Sequence, residues 1–265
     1  MPRLGVLGHP VAHSRSPAMH RAAFAALGME AEWTYQRLPV PPELFDETVR
    51  ALPAAGFAGA NVTIPHKEAA LALADEATPE ARAIGAANTL SFTPDGRIHA
   101  ANTDAPGLIA ALPEPPAGRS ALVLGAGGSA RAVAWALRHA GASEVSVWNR
   151  TPERARALAD SLEVRAVERP EPADLLVNCT SVGLDGGGGE LKIGPLGADE
   201  LLGYTSVIDL VYGTTETALV STARRLGLPA VDGLEVLVRQ GAASFELWTG
   251  RTPSLDAMRT GARDP

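Results

Sequence analysis

Short apolar runs alternate with segments of helical spacing almost throughout the chain, giving a β-α rhythm. Apolar runs at 4–7, 58–62, 121–124, 144–148, 174–178 and 206–210 predict strands. Ser16-Pro17 reads as N-cap and first helical residue, opening a helix over 18–27 that stops at Gly28. Further helices are predicted over 42–52, over 66–74 after the break at Pro65, and over 129–140. Residues 89–92 and 98–101 flank Pro94-Asp95-Gly96, which is turn chemistry, so a β-hairpin is expected beside the parallel strands. The long helix over 234–247 is apolar along most of its length and has no strand after it, so it is expected to pack elsewhere.

The most linker-like stretch is 113–118, Pro-Glu-Pro-Pro-Ala-Gly, which is stiff and poor in backbone donors; the visible change of domain is placed there. A chain of 265 residues suits about two domains. The expected class is α/β. Two α/β domains enclose a cleft, one formed by 1–103 plus 235–265 and the other, a Rossmann-like doubly wound parallel sheet, by 104–234. The glycine run 186–189 reads as a flexible surface loop.

Composition narrows the function. Hydrophobic residues make up 46% and charged residues 20%, the balance of a folded chain. The net charge of −7 provides no general positive field for nucleic acid. No run approaches the roughly 20 apolar residues that span a bilayer, and the N-terminal run is too short for a signal peptide. Cys179 is the single cysteine, so no intrachain disulfide forms and the expected compartment is the cytoplasm. The expected partners are small molecules, with no nucleic acid or membrane, and the chain is a monomer or a homodimer. No Cys or His cluster has ligand spacing, so no metal is expected.

Gly125-Ala126-Gly127-Gly128-Ser129-Ala130 fits G-x-G-x-x-A directly after an apolar strand and at the opening of a helix. The first glycine turns the chain, the second admits a pyrophosphate to the backbone, and the small last position brings helix against strand. A dinucleotide site is the functional reading; a glycine turn serving only packing is the plain one. The next strand ends in Trp148-Asn149-Arg150-Thr151, without the Asp or Glu that holds a ribose 2′-hydroxyl. Arg150, Thr151 and Arg154 could accept a 2′-phosphate, which favours NADP over NAD. Alternatively, Thr151-Pro152 is only a cap and both arginines are solvated.

Ser14 and Ser16, two apart on an extended approach to a helix, can direct hydroxyls at a carboxylate, although Ser16 is equally well an N-cap. His13 beside them is as readily structural. Alternation puts Asn61 and Thr63 on one strand face, with Lys67 a helical turn on. The chain has only two lysines, Lys67 and Lys192, and an ammonium can give up a proton to an alcohol or carbonyl where a guanidinium cannot. A solvated Lys67 or an acid-base His66 is equally compatible with the local sequence. Asn88-Thr89 and Asn102-Thr103-Asp104 lie at one end of the predicted hairpin, where Asp104 either pairs with the lysine or caps a helix.

In this order the motifs resemble the shikimate dehydrogenase family, which reduces 3-dehydroshikimate with NADPH on the route to chorismate and the aromatic amino acids. G-x-P-x-x-H-S-x-S-P is Gly8 to Pro17, N-V-T-x-P-H-K is Asn61 to Lys67, and G-A-x-N-T is Gly85 to Thr89. N-T-D is Asn102 to Asp104, and N-R-T is Asn149 to Thr151. The resemblance implies a carboxylate held by Ser14 and Ser16, ring hydroxyls held by Asn61, Thr63, Asn88 and Asp104, and a catalytic pair Lys67 and Asp104. It also implies that Gln240 and Tyr212 touch substrate, and that Gly233, Thr180 and Ser181 lie at the cofactor.

The implied reaction passes a hydride across the cleft to the C3 carbonyl while Lys67 supplies the proton and Asp104 positions both. Closure on binding would hinge near 103–106 and 232–233. The alternatives are a quinate/shikimate dehydrogenase of broader range, against which the missing acidic residue after Trp148 argues, and a non-catalytic NADP-binding sensor.

Overall fold

The computed structural model describes residues 1–184, 191–213 and 215–264. The glycine run 186–189 lies outside the described residues. The chain forms two compact units, 1–107 with 238–265 and 108–237.

Unit 1 contains β1 (Arg3–Gly8), α1 (Ser16–Ala26), β2 (Thr34–Pro39), α2 (Phe45–Ala51), β3 (Phe57–Val62), α3 (Lys67–Leu73), β4 (Glu76–Ala77), α4 (Pro79–Ile84), β5 (Thr89–Phe92) and β6 (Ile98–Ala101). α5 (Asp104–Ala111) leads out of it. Its sheet runs β2-β1-β3-β5-β6-β4. β2, β1 and β3 are parallel, and the hairpin β5-β6 joins antiparallel to β3, in register Asn61↔Thr89. Ala60 and Val62 of β3 bury into one core with Leu7, Phe45, Val49 and Leu73, so strand alternation turns Asn61 to the opposite face. On that side Phe24 of α1 stacks with Trp33 and meets Phe245 at a tilt, and His20 stacks on Tyr35 with ring centroids 4.3 Å apart. Phe24 and Phe245 are fully buried, each contributing about 2–3 kcal/mol by leaving water.

Unit 2 contains β7 (Ser120–Leu124), α6 (Gly128–His139), β8 (Glu144–Trp148), α7 (Pro152–Leu162), β9 (Arg165–Ala166), β10 (Ala173–Asn178), β11 (Tyr204–Asp209), α8 (Ala218–Arg225) and β12 (Ala230–Val231). All pairings are parallel, in the order β12-β11-β10-β7-β8-β9, the doubly wound arrangement expected. Strand order, not direction, reverses at β7: β8 and β9 are added on one side of it and β10 to β12 on the other, and such a switch point puts a crevice at the carboxyl ends of β7 and β10. α9 (Gly233–Thr249) then carries the chain back into unit 1, followed by α10 (Leu255–Arg263).

Several details differ from the pattern-based expectation. The divisions fall at 107/108 and 237/238, a few residues beyond 103/104 and 234/235, because α5 and α9 run through them and no loop marks the change. The Pro-rich stretch 113–118 is instead folded into unit 2, where Gly118 N–H donates to the Gly141 carbonyl at 2.8 Å. The helix expected over 42–52 breaks into a 3-10 turn (Pro42–Leu44) and α2 at Leu44, which leaves helical geometry with φ of −106° and ψ of 2°. β2, α4 and α10 had no expectation. β2 is an edge strand with only Tyr35 buried, so no apolar run announces it.

Candidate active site

Lys67 is the first residue of α3, placed there by the Pro65 break, and its carbonyl accepts from Ala87 N–H at 2.8 Å. That bond ties the start of α3 to the segment entering β5. Lys67 Nζ meets Asp104 Oδ2 at 2.6 Å, and both side chains are close to nine-tenths buried. Asp104 is not a cap. It is the first residue of α5, and Asn102 caps that turn instead, its Oδ1 accepting from Ala105 N–H at 3.2 Å.

Asn88 organises the surroundings. Its Oδ1 accepts from Thr103 N–H at 2.7 Å, and because a backbone N–H can only donate, the amide orientation is fixed. Nδ2 therefore faces Asp104 Oδ1 at 2.8 Å, with Thr103 Oγ1 and Gln240 Oε1 at 3.0 and 3.2 Å. Gln240 reaches this point because Gly107 leaves room: a Cβ there would lie 2.7 Å from the backbone nitrogen of Gln240. Behind Asn88, Thr89 Oγ1 receives Asn61 Nδ2 at 3.2 Å, and Tyr35 donates its hydroxyl to Asn61 Oδ1 at 2.8 Å. A chain of hydrogen bonds thus runs from β2 through β3 and β5 to the Lys67–Asp104 pair.

His66 is excluded from this group. Its Nε2 lies 2.7 Å from the Val40 carbonyl, its ring stacks on Phe45, and burial holds its pKa below the ordinary value. Thr63 follows β3 and is half-buried. Ser14 and Ser16 are both buried, but not on an extended approach: Arg15 is in helical conformation and is itself the N-cap of α1. Ser16 therefore stands inside the helix, and Ser14 Oγ accepts its N–H at 3.3 Å. His13 is exposed.

In unit 2, Gly125 follows β7 with φ of +109°, and a Cβ there would come within 3.1 Å of the Cys179 carbonyl. Its glycine is a requirement of the fold. Gly127 differs: its φ is −97° and nothing lies within 4 Å of where its Cβ would be. Packing does not explain that glycine, and without a side chain the backbone there is open to an approaching group. Gly127 is the N-cap of α6 and makes no side-chain cap, so the first N–H groups of Gly128, Ser129 and Ala130 supply the positive pole of a helix. Ala126 and Ser129 are half-buried, and Ala130 is fully buried.

Asn149 follows β8 and donates to the Thr151 carbonyl at 3.0 Å. Arg150, Thr151 and Arg154 are exposed, and among the described residues neither arginine has an ion-pair partner. Thr151 is the N-cap of α7 but its hydroxyl makes no cap bond. The first turn of α6 and these side chains fit a phosphorylated dinucleotide.

Family models match three stretches of the chain: a shikimate dehydrogenase substrate binding domain over 6–90, shikimate / quinate 5-dehydrogenase over 112–180, and a shikimate 5'-dehydrogenase C-terminal domain over 233–260. A shikimate dehydrogenase (NADP(+)) of Methylobacterium radiotolerans is 50% identical over 95% of this chain and 93% of its own. The chain belongs to the shikimate dehydrogenase family. A second relative of the same description, from Thermus thermophilus, is 47% identical over 99% of this chain and 98% of its own. The crystal structure of a Thermus thermophilus shikimate 5-dehydrogenase in complex with NADP(H) and shikimate superposes with a TM-score of 0.88 at 46% identity, covering 100% of this chain and 99% of that one.

Other residues of the shikimate dehydrogenase pattern have mixed surroundings. Thr180 and Ser181 follow β10, and Thr180 Oγ1 donates to Asn178 Oδ1 at 2.7 Å. Tyr212 follows β11 and is half-buried. Gly233 has a packing reason of its own, since a Cβ there would meet the Val211 carbonyl at 2.5 Å. Motif reading placed Thr89 and Thr103 beside Asn88 and Asp104 at the end of the hairpin, where they lie, but missed Tyr35, and also Asn178 with Asp209, paired across β10 and β11. Asp209 Oδ1 accepts from Asn178 Nδ2 at 2.8 Å and from Val211 N–H at 3.0 Å, and Oδ2 accepts from Thr217 Oγ1 at 2.6 Å. Burial, opposed by these bonds, pushes the Asp209 carboxyl up to about 6. The available signal was a polar residue ending each of two apolar strands.

Proposed function

We propose that this chain catalyses the reversible, NADP-dependent reduction of 3-dehydroshikimate to shikimate, a step toward chorismate and the aromatic amino acids. The observation that carries it is the 2.6 Å contact of Lys67 Nζ with Asp104 Oδ2, inside a wall of polar groups whose orientations are fixed. NADPH, when bound, supplies the hydride. Lys67 gives its proton to the oxygen formed at C3, and Asp104 holds the ammonium in place while accepting from the same hydroxyl. Reduction of the ketone consumes one hydride and one proton, and oxidation returns the proton to Lys67.

Ser14 and Ser16 donate to the ring carboxylate, Thr63 and Gln240 hold ring hydroxyls, and Asn88 joins them by turning one Nδ2 hydrogen from Gln240 Oε1, its longest partner at 3.2 Å, to the ring. Asn61 already spends both amide hydrogens on Asn88 O and Thr89 Oγ1, so it serves the ring through the second lone pair of its Oδ1 and by steadying that wall. Gly125 to Ala130 receive the pyrophosphate, with Asn149, Arg150, Thr151 and Arg154 at the 2′-phosphate and Thr180, Ser181 and Gly233 toward the nicotinamide.

Initial rates with NADP or NAD, on shikimate or quinate, test this reading. The expected result is a kcat/KM with NADP and shikimate at least about 100-fold above that with NAD, as the absent carboxylate and two arginines without ion-pair partners among the described residues imply. Equal use of NAD would contradict the 2′-phosphate site, and equal use of quinate would assign the broader activity.

A further inference from the structure

Arg37, on the edge strand β2, takes no part in the family pattern or in the network around Lys67. Its Nε and Nη2 both donate to the Ser14 carbonyl, at 3.0 and 2.7 Å. This fork fixes the guanidinium against the loop that presents the two serine hydroxyls. Among the described residues Arg37 has no carboxylate partner, so its charge is left uncompensated there. The adjoining start of α1 has no acidic residue in its first turn, which leaves the positive pole of that helix uncompensated as well.

Two neutral hydroxyls alone are a weak counterpart for a carboxylate removed from water, because a desolvated anion requires opposing charge. We propose that Arg37 is a specificity-determining residue: its charge, anchored on Ser14, selects the anionic ring acid over neutral cyclic polyols of the same shape. This rests on the reading of Ser14 and Ser16 as the carboxylate site. Arg37 acts through the field and through Ser14, without replacing the hydroxyl contacts.

The test compares wild type, Arg37→Gln, Arg37→Lys and Ser14→Ala, with shikimate and its uncharged carboxamide as substrates, at ionic strengths from about 10 to 500 mM chosen about the Debye range. Arg37→Gln is expected to raise KM for shikimate roughly tenfold at low salt, with kcat within about twofold. It should flatten the salt dependence of that KM, leave KM for the carboxamide unchanged, and be partly rescued by Arg37→Lys. A wild-type KM for shikimate that ignores salt would overturn the proposal even if the variants fail to fold. So would an equal rise for acid and amide, which is the signature of a loop merely propped up. If Ser14→Ala raises KM while Arg37→Gln does not, Arg37 is wrongly assigned and the serine site stands; if neither moves, both readings fall.

Discussion

Gly125 and Gly127 are letters of one motif with different physical reasons, and substitution separates them. Gly125→Ala puts a side chain at a φ of +109° and against the Cys179 carbonyl, so it should destabilise the fold by roughly 1–3 kcal/mol. Gly127→Ala meets open space at an ordinary φ, so thermal stability should hold while NADP affinity falls roughly tenfold or more, about 1.4 kcal/mol. Thermal melting and calorimetric titration of both variants check this, and a loss of stability in Gly127→Ala would contradict the phosphate reading. Motif spacing named both glycines but could not tell turn from cradle, because that difference lies in φ and in a neighbour more than fifty residues away. The same limit applied to Lys67 and His66. They are adjacent in sequence, yet one meets Asp104 and the other turns to Val40 and Phe45, which only tertiary packing decides.

Among the elements, the paired ends of β10 and β11 hold the clearest pH-sensitive group. The Asp209 carboxyl ionises near 6 in the fold against 3.8 when free, so between those values the folded chain holds a proton that the unfolded chain has lost. The contribution of this group to stability is then full below about pH 4 and declines as pH rises through 6, by about 3 kcal/mol in all. Asp209→Asn removes that dependence: its Oδ1 still accepts from Asn178 and Val211, and its Nδ2 donates to Thr217 Oγ1 where the carboxylate accepted from it. Urea denaturation from about pH 4 to 7.5 should show wild type losing stability relative to the variant, and a constant difference would refute the buried-charge account. Long elements were legible from the sequence where one face is apolar: β7, β8, the hairpin β5-β6 and α9. β2 was not, being an edge strand exposed at most positions, and α4 was too short for periodicity to show. The polar ends of β10 and β11 interrupted an otherwise apolar pattern, and such interruptions mark where a strand stops packing and starts holding a loop.

For the whole molecule, unit 2 is one continuous segment with its own six-stranded sheet and core, while unit 1 is assembled from two segments. A fragment of residues 108–237 should therefore fold alone and bind NADP more tightly than NAD without turning over shikimate. Circular dichroism and titration calorimetry would detect this, and an unfolded fragment would show that the unit depends on the rest of the chain. The two-unit arrangement was legible in the β-α rhythm and the glycine motif; the crossing points were not, since both lie inside continuous helices. The central claim concerns the reaction itself, and the most direct test of it is steady-state oxidation of shikimate with NADP by wild type and Lys67→Ala, followed by nicotinamide absorbance. The account predicts that kcat falls about 100- to 10,000-fold while KM changes little, since the lost proton transfer belongs to the transition state. An unchanged kcat with a large rise in KM would make Lys67 a binding residue and contradict the mechanism.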